Sequence, residues 1–144
     1  CVDQSAFNIL VEKGRDKNIA IVGHFPWISK LRNIAKKLWV LEQRPCEVDL
    51  QAEAAEEILP QADIIGVTGS SFINHTVEKL LNLSKNSFVV MIGPTSPLSP
   101  VLFNYGVDVI AGVKVVEPEK TIRSVSEGAI FPQVEGGKLI TMAK

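Results

Sequence analysis

The feature of this sequence that most constrains its fold is a regular alternation between short apolar runs and longer stretches in which apolar residues recur every three to four positions. The runs are rich in β-branched residues and are apolar on both faces, as the strands of a parallel sheet are when helices cover both sides. Alternating strands and helices are typical of a mostly parallel sheet. The five strands predicted from the runs span residues 19–23, 39–42, 63–68, 87–93 and 107–112.

The helices are predicted from the amphipathic stretches between these runs. Pro26 suits the first turn of the second helix, where its missing N–H costs nothing, and Asn74 is the expected N-cap of the fourth. The predicted helices span residues 3–13, 27–38, 51–59 and 74–83, with a last helix framed by Pro118 and Glu127. A terminal segment, 138–142, is expected to add an antiparallel edge strand. The pattern predicts a single domain over residues 1–144.

Composition excludes several classes of function. The 144 residues are 46% hydrophobic, which is enough for a buried core and excludes a mainly disordered chain. A formal net charge of −1 provides no basic surplus for a nucleic acid. The longest apolar runs have the length of a strand, far short of the roughly 20 residues of a membrane span. Two cysteines, Cys1 and Cys46, make no disulfide framework, so we expect a cytoplasmic protein with neither a nucleic-acid nor a membrane partner.

The loops that follow the predicted strands are the expected binding site, because ligands of open parallel sheets bind beyond the carboxyl ends of the strands. These loops are rich in glycine, proline and hydroxyl side chains and poor in charge. Glycine lets a ligand approach the backbone closely, and hydroxyl and N–H groups bind anions. The five loops together favour a ligand with a phosphate or carboxylate group, whereas each loop alone is explained by ordinary turn chemistry.

Named catalytic motifs are absent from these loops. The sequence has neither a G-x-x-x-x-G-K-[ST] phosphate loop nor a G-x-G-x-x-G turn after the first strand. Glu42 ends the second strand, where an acidic residue often holds a ribose hydroxyl, although a solvated carboxylate is the simpler interpretation. Ser70 lacks a G-x-S-x-G context, and a dyad with His24 or His75 would need a geometry that the sequence does not define.

Five side chains near the predicted edge are of metal-binding type, but their spacing matches no recognised ligand pattern. They are His24, Glu42, Cys46, Asp49 and His75. His24 has two interpretations. It coordinates a metal through one imidazole nitrogen, or it donates a hydrogen bond to a loop carbonyl or a ligand anion, which is the more common role.

Four segments resemble a known family when they are taken together in order. They are residues 18–26, residues 62–70 with Asn74 and Thr76, residues 93–98, and residues 106–112. They are similar to the putative heavy-metal chelation family, and the resemblance covers nearly the whole chain. It implies a three-layer α/β/α Rossmann-like domain with the five strands in the order 2-1-3-4-5 and an antiparallel final strand. It also implies a smaller upstream domain, similar to the N-terminal domain of enolases, and a cleft between the two domains.

The resemblance implies a set of ligand-binding positions in the loops. The positions that match the family's motifs are Gly23, His24, Pro26, Glu42, Thr68, Gly69, Asn74, Thr76, Gly93, Pro94, Ser96, Pro97 and Gly112. The adjacent Phe25, Ser70 and Thr95 complete the predicted ligand site, and His24 and Glu42 are the expected metal ligands.

Three functional hypotheses follow from these observations. The first is the binding of a small anionic or metal-chelating ligand, with a heavy metal or a metal chelate as its cargo. The alternative is a transferase or lyase with a nucleotide-like cofactor, Glu42 on a ribose and His24 as acid or base. The third is a homo-oligomer without chemistry, which an apolar patch away from the carboxyl edge would favour.

Overall fold

A computed structural model describes residues 5–45, 49–131 and 133–144. Seven strands form one sheet in the order β3-β2-β1-β4-β5-β6-β7. β7 is antiparallel to β6, and the other neighbouring strands are parallel. The strands are β1 Asn18–Val22, β2 Lys37–Glu42, β3 Leu50–Gln51, β4 Ile64–Thr68, β5 Phe88–Ile92, β6 Val109–Val115 and β7 Gly137–Ala143.

Helices connect the strands and pack on both faces of the sheet. The α-helices are α1 Ala6–Gly14, α2 Ile28–Leu31, α3 Ala55–Ile58, α4 Val77–Leu83 and α5 Pro118–Ser126. Short 3₁₀ helices span Ala52–Ala54, Leu59–Gln61, Gly69–Phe72 and Pro100–Tyr105. One core, which includes Ile65 and Met91, lies against α3 and α4. The other core includes Ile19 and Ile21 and lies against α1 and α2. Successive strand residues alternate between the two cores, which explains why the strands are apolar on both faces.

Two aspartates bind backbone N–H groups at the amino ends of neighbouring strands. The Asp63 carboxylate accepts a hydrogen bond from the Asn18 backbone N–H at 2.9 Å, and the Asp108 carboxylate accepts one from the Val89 N–H at 2.8 Å. Each aspartate immediately precedes a strand and accepts a hydrogen bond from an N–H group at the start of the neighbouring strand.

The predicted strand count of five is wrong, because the sheet has seven strands. The five predicted strands lie side by side as β2-β1-β4-β5-β6, so the order 2-1-3-4-5 describes only the inner part of the sheet. β3 lies outside β2, where Leu50 and Gln51 pair with Leu41 and Glu42. The expected antiparallel terminal strand is confirmed as β7, and pairing with β7 extends β6 to Val115.

The second predicted helix is wrong over most of its length. α2 ends at Leu31, and β2 already begins at Lys37, because residues 37–41 pair with β1. Pro26 precedes the N-cap residue Trp27 and is not in the first turn. The third predicted helix is interrupted, since residues 51–61 begin in β3 and continue as 3₁₀, α and 3₁₀ segments.

The predicted N-cap of the fourth helix is also wrong. α4 begins at Val77 with Thr76 as its N-cap residue. The Asn74 side chain instead accepts hydrogen bonds from the Thr76 backbone N–H at 3.2 Å and the Thr76 hydroxyl at 2.7 Å. An asparagine bonded two residues ahead closes a local turn and thereby ends the loop before the helix.

Candidate functional site

The loops after β1, β4 and β5 pack against one another and against β6 at the carboxyl edge, and glycines permit this packing. Gly112 was predicted in a loop but lies inside β6, because pairing with β7 extends that strand. A Cβ on Gly23 would lie 3.0 Å from Cβ of Thr68. A Cβ on Gly69 would lie 2.3 Å from the Ser96 backbone nitrogen, closer than any real contact. A Cβ on Gly112 would lie 3.1 Å from the Ser96 carbonyl oxygen. The predicted loop positions are therefore brought together from four different strands.

Two glycines, Gly23 and Gly93, turn the chain away from the sheet. Gly23 has φ +109° and Gly93 has φ +111°, a region that L side chains rarely adopt. The Gly23 N–H still donates to the Leu41 carbonyl at 2.9 Å, and the Gly93 N–H donates to the Ala111 carbonyl at 3.0 Å. Each strand ladder thus continues for one further hydrogen bond before the loop begins.

His24 is held by a buried carboxylate. Its Nδ1 lies 2.9 Å from Oδ2 of Asp49, whose side chain is 0% exposed, whereas the His24 side chain is 46% exposed. A carboxylate only accepts hydrogen bonds, so Nδ1 carries the hydrogen, and in the neutral ring Nε2 keeps its lone pair. The arrangement places a hydrogen-bonded histidine, with one accessible nitrogen, directly after β1.

Aromatic ring contacts also hold the loop that follows β1. The Phe25 and Trp27 rings stack with centroids 4.9 Å apart and an interplanar angle of 7°. Trp27 also contacts Phe7 of α1, with centroids 5.7 Å apart. These contacts restrict the rotamers of Phe25 and Trp27, so packing holds in place the segment that directly follows His24.

Other predicted site residues are engaged within their own loops. Oε1 of Glu42, the last residue of β2, accepts a hydrogen bond from the Gln43 N–H at 2.7 Å. The Thr68 hydroxyl accepts from the Ser70 N–H at 3.3 Å. Ser96 differs, because it is 5% exposed and its hydroxyl has no hydrogen-bond partner among the described residues.

The second histidine lies apart from the first. His75 has φ +60° and borders a cleft of about 730 Å³ with Phe72, the α4 residues and Tyr105. Among the described residues, neither histidine is hydrogen-bonded to Ser70, so the Ser–His dyad has no support. Cys46 lies outside the described residues.

Clusters of metal-ligating side chains are small within residues 5–45, 49–131 and 133–144. No group of three or more His, Cys, Asp or Glu residues there could hold a metal ion. Asp49 was considered only as a side chain of metal-binding type near the edge, and its contact with His24 was missed. The sequence signal for it is weak, because it is one acidic residue shortly after the second strand.

The comparisons with known proteins bear on this site. A family model described as putative heavy-metal chelation, DUF364, matches residues 5–144. The chain belongs to this family. An uncharacterized protein of Methanocaldococcus jannaschii is 27% identical over 126 residues, which make up 83% of this chain and 49% of that protein. The chain thus spans about half the length of the curated relative it matches.

Two DUF364 crystal structures share the fold. A protein of unknown function from Desulfitobacterium hafniense matches with a TM-score of 0.90 and 32% identity over 97% of this chain and 57% of that chain. A second, from Pyrococcus horikoshii, matches with a TM-score of 0.88 and 22% identity over 99% of this chain and 60% of that chain.

The fold is also similar to an enzyme of known activity. Plasmodium falciparum pyrroline carboxylate reductase with NADP bound matches with a TM-score of 0.50 and 15% identity over 91% of this chain and 50% of that chain. At this identity the match shows the Rossmann-like fold alone. The comparisons give no support to a transferase or lyase with Glu42 on a ribose.

None of the described helices combines the length and the apolar character that crossing a bilayer needs.

Proposed function

We propose that this domain binds a small, oxygen-rich anionic ligand that carries a heavy-metal ion, at the carboxyl edge of the sheet. The observation that carries the proposal is the His24–Asp49 contact of 2.9 Å, with the carboxylate buried and the imidazole accessible. The family description, putative heavy-metal chelation, supports the choice of cargo.

The chemistry of His24 suits this role. Histidines that bind metals commonly donate their other ring N–H to a carboxylate, which fixes the tautomer and makes the coordinating nitrogen more basic. Asp49 provides such a carboxylate, and Nε2 of His24 is the nitrogen left for a metal. The buried Asp49 acts through His24 and does not need to touch the ligand.

The described residues fit a chelated ion better than a bare one. A protein site that binds a bare heavy-metal ion needs about three or four converging donors. The described residues provide no such group, so His24 would supply one ligand and the chelator would supply the others. Gly93, which has no atom within 4 Å of its Cβ position, leaves the backbone accessible to the oxygen atoms of a small ligand.

Further parts of the proposal concern the whole protein. We propose that this domain belongs to a longer chain whose smaller, enolase-like upstream domain forms a cleft with the carboxyl edge. Its support is that the chain spans only 49–60% of its relatives. The separate positions of the predicted site, the first of which is Gly23 and the last Gly112, would line that cleft. Assembly into a homo-oligomer and a cytoplasmic location stay predictions.

Isothermal titration with three probes tests the proposal: Zn²⁺ with citrate, citrate alone and Zn²⁺ alone. We expect the zinc–citrate mixture to bind more tightly than either component. His24→Ala should weaken zinc–citrate binding by about tenfold or more. His75→Ala is the matched control, because it removes the other histidine of the chain and should leave the affinity unchanged.

Asp49→Asn tests whether the carboxylate that positions His24 contributes to metal binding. It keeps the size of the side chain but removes the carboxylate, so we expect a loss of zinc–citrate affinity while citrate alone is unaffected. Equal affinities in the wild type, His24→Ala and His75→Ala would overturn the proposal.

A further inference from the structure

Two lysines face each other across β6 and β7. Lys114 and Lys138 are direct register partners in this antiparallel pair, and both are exposed. Side chains of directly opposite residues stand on the same face about 5 Å apart at their Cβ atoms, and like charges in this position destabilise a sheet. Among the described residues, neither lysine forms an ion pair. Their repulsion is therefore not offset by an ion pair within this part of the chain.

The lysines share a face with the loop after β5. Gly112 lies two residues before Lys114, so both positions point to the same side of β6. A Cβ on Gly112 would lie 3.0 Å from Leu98 and 3.1 Å from the Ser96 carbonyl oxygen. The backbone of Lys114 thus lies about 7 Å further along β6 than Gly112, where this loop covers the strand.

Two acidic residues close in sequence to the ends of β6 and β7, Glu117 and Glu135, act on Lys120 of α5. Glu117 pairs with Lys120, one turn along α5. The hydrogen bond that Lys120 donates to Glu117 and the charge of Glu117 raise the pKa of Lys120, and the charge of Glu135 adds a smaller effect in the same direction. Both carboxylates therefore act on Lys120, and among the described residues neither forms an ion pair with Lys114 or Lys138.

We propose that Lys114 and Lys138 form a subsite for a dianionic oxyanion group, either a phosphate or two adjacent carboxylates of one ligand. Two ammonium groups on one face match two negative charges, and a bound anion would offset the repulsion between the two lysines. The loop with the buried, unpartnered Ser96 hydroxyl borders the subsite. This inference rests on the proposed function only for the claim that ligands bind at the carboxyl edge, and it adds their charge class.

The subsite is separate from His24. Three strand spacings, about 14 Å in total, lie between β1 and β6. A ligand that reaches both places must be extended, and a small anion occupies the lysine subsite alone. Binding of a simple anion can therefore be measured without the metal chelate.

Titration of the protein with inorganic phosphate and with citrate at about pH 8, where phosphate is mainly dianionic, tests the subsite. Lys114→Gln and Lys138→Gln should each weaken phosphate binding about tenfold. Lys85→Gln is the matched control, because Lys85 is exposed in the turn before β5, at the opposite edge of the sheet. The stronger response of phosphate or of citrate to the substitutions identifies the anion source.

Lys138→Glu separates binding from folding. It places a carboxylate opposite Lys114, so the melting temperature should rise while phosphate binding is lost. His24→Ala should leave phosphate binding unchanged, which distinguishes a failure of this inference from a failure of the proposed function. The inference is wrong if the wild type binds neither anion, or if both Lys→Gln variants bind like Lys85→Gln.

Discussion

Gly69 is the position where the packing of the edge loops is most sensitive to a side chain. An added Cβ would lie 2.3 Å from the Ser96 nitrogen, 2.5 Å from the Thr95 carbonyl carbon and 2.7 Å from the Ser96 Cα. Ordinary contacts begin at 3.4 Å, and all three atoms belong to the backbone. Gly69→Ala must therefore push the loop after β5 away from β4 by about 1 Å, since no flexible side chain can yield.

The expected cost is at the upper end of the range for overpacking, about 3 kcal/mol of unfolding free energy. For a domain of this size that corresponds to a fall of about 10 °C in the melting temperature. Gly93→Ala is the control. It meets no atom within 4 Å, so only its positive φ resists the substitution, at about 1–2 kcal/mol.

Urea unfolding followed by tryptophan fluorescence and calorimetry would measure both variants. Gly69→Ala should be the less stable of the two and should also bind zinc–citrate less tightly, because its loop has moved. The reasoning is refuted if Gly69→Ala is as stable as Gly93→Ala or more stable.

The remaining predictions concern residues away from the loops. Asp108→Ala leaves the N–H of the buried Val89 without its acceptor and should lower the free energy of unfolding by about 1–3 kcal/mol in urea, more than Asp63→Ala, which exposes an accessible N–H. Glu56→Gln tests a pH effect. The hydrogen bond from Lys79 and then its charge lower the pKa of Glu56 from 4.5, so the pair stabilises the fold above that value and the contribution disappears as the pH falls through the lowered pKa. Glu56→Gln should thus lower the melting temperature slightly at neutral pH and not in strong acid, and a loss that persists in acid would contradict this assignment.

The central strands could be predicted from the sequence because their apolar runs are continuous. Ile64–Thr68 and Phe88–Ile92 are buried on both faces. Such a continuous apolar run suits a strand of a sheet that helices cover on both sides. The second helix failed for the opposite reason. Residues 32–38 have helical spacing, but pairing of Lys37 and Leu38 with β1 contributes more than the helical preference of this short segment.

The candidate site could likewise be predicted only in part. The position of His24 at the edge follows from the strand rule, because it comes directly after Gly23 at the end of β1. Its contact with Asp49 could not be predicted, since it depends on the path of the chain between β2 and β3. The Lys114–Lys138 pair was also missed, because a register between residues so far apart follows only from the antiparallel pairing of β7. The individual ligand-binding residues stay predictions.

X-ray absorption at the zinc edge of the zinc–citrate complex tests the central claim most directly, since it reports the atoms bound to the metal. We expect one imidazole nitrogen at about 2.0–2.1 Å in the wild-type protein and in His75→Ala, and its loss in His24→Ala. A metal shell of oxygen atoms alone in the wild type, or an unchanged nitrogen shell in His24→Ala, would contradict the assignment of His24 as the protein's ligand to the chelated metal.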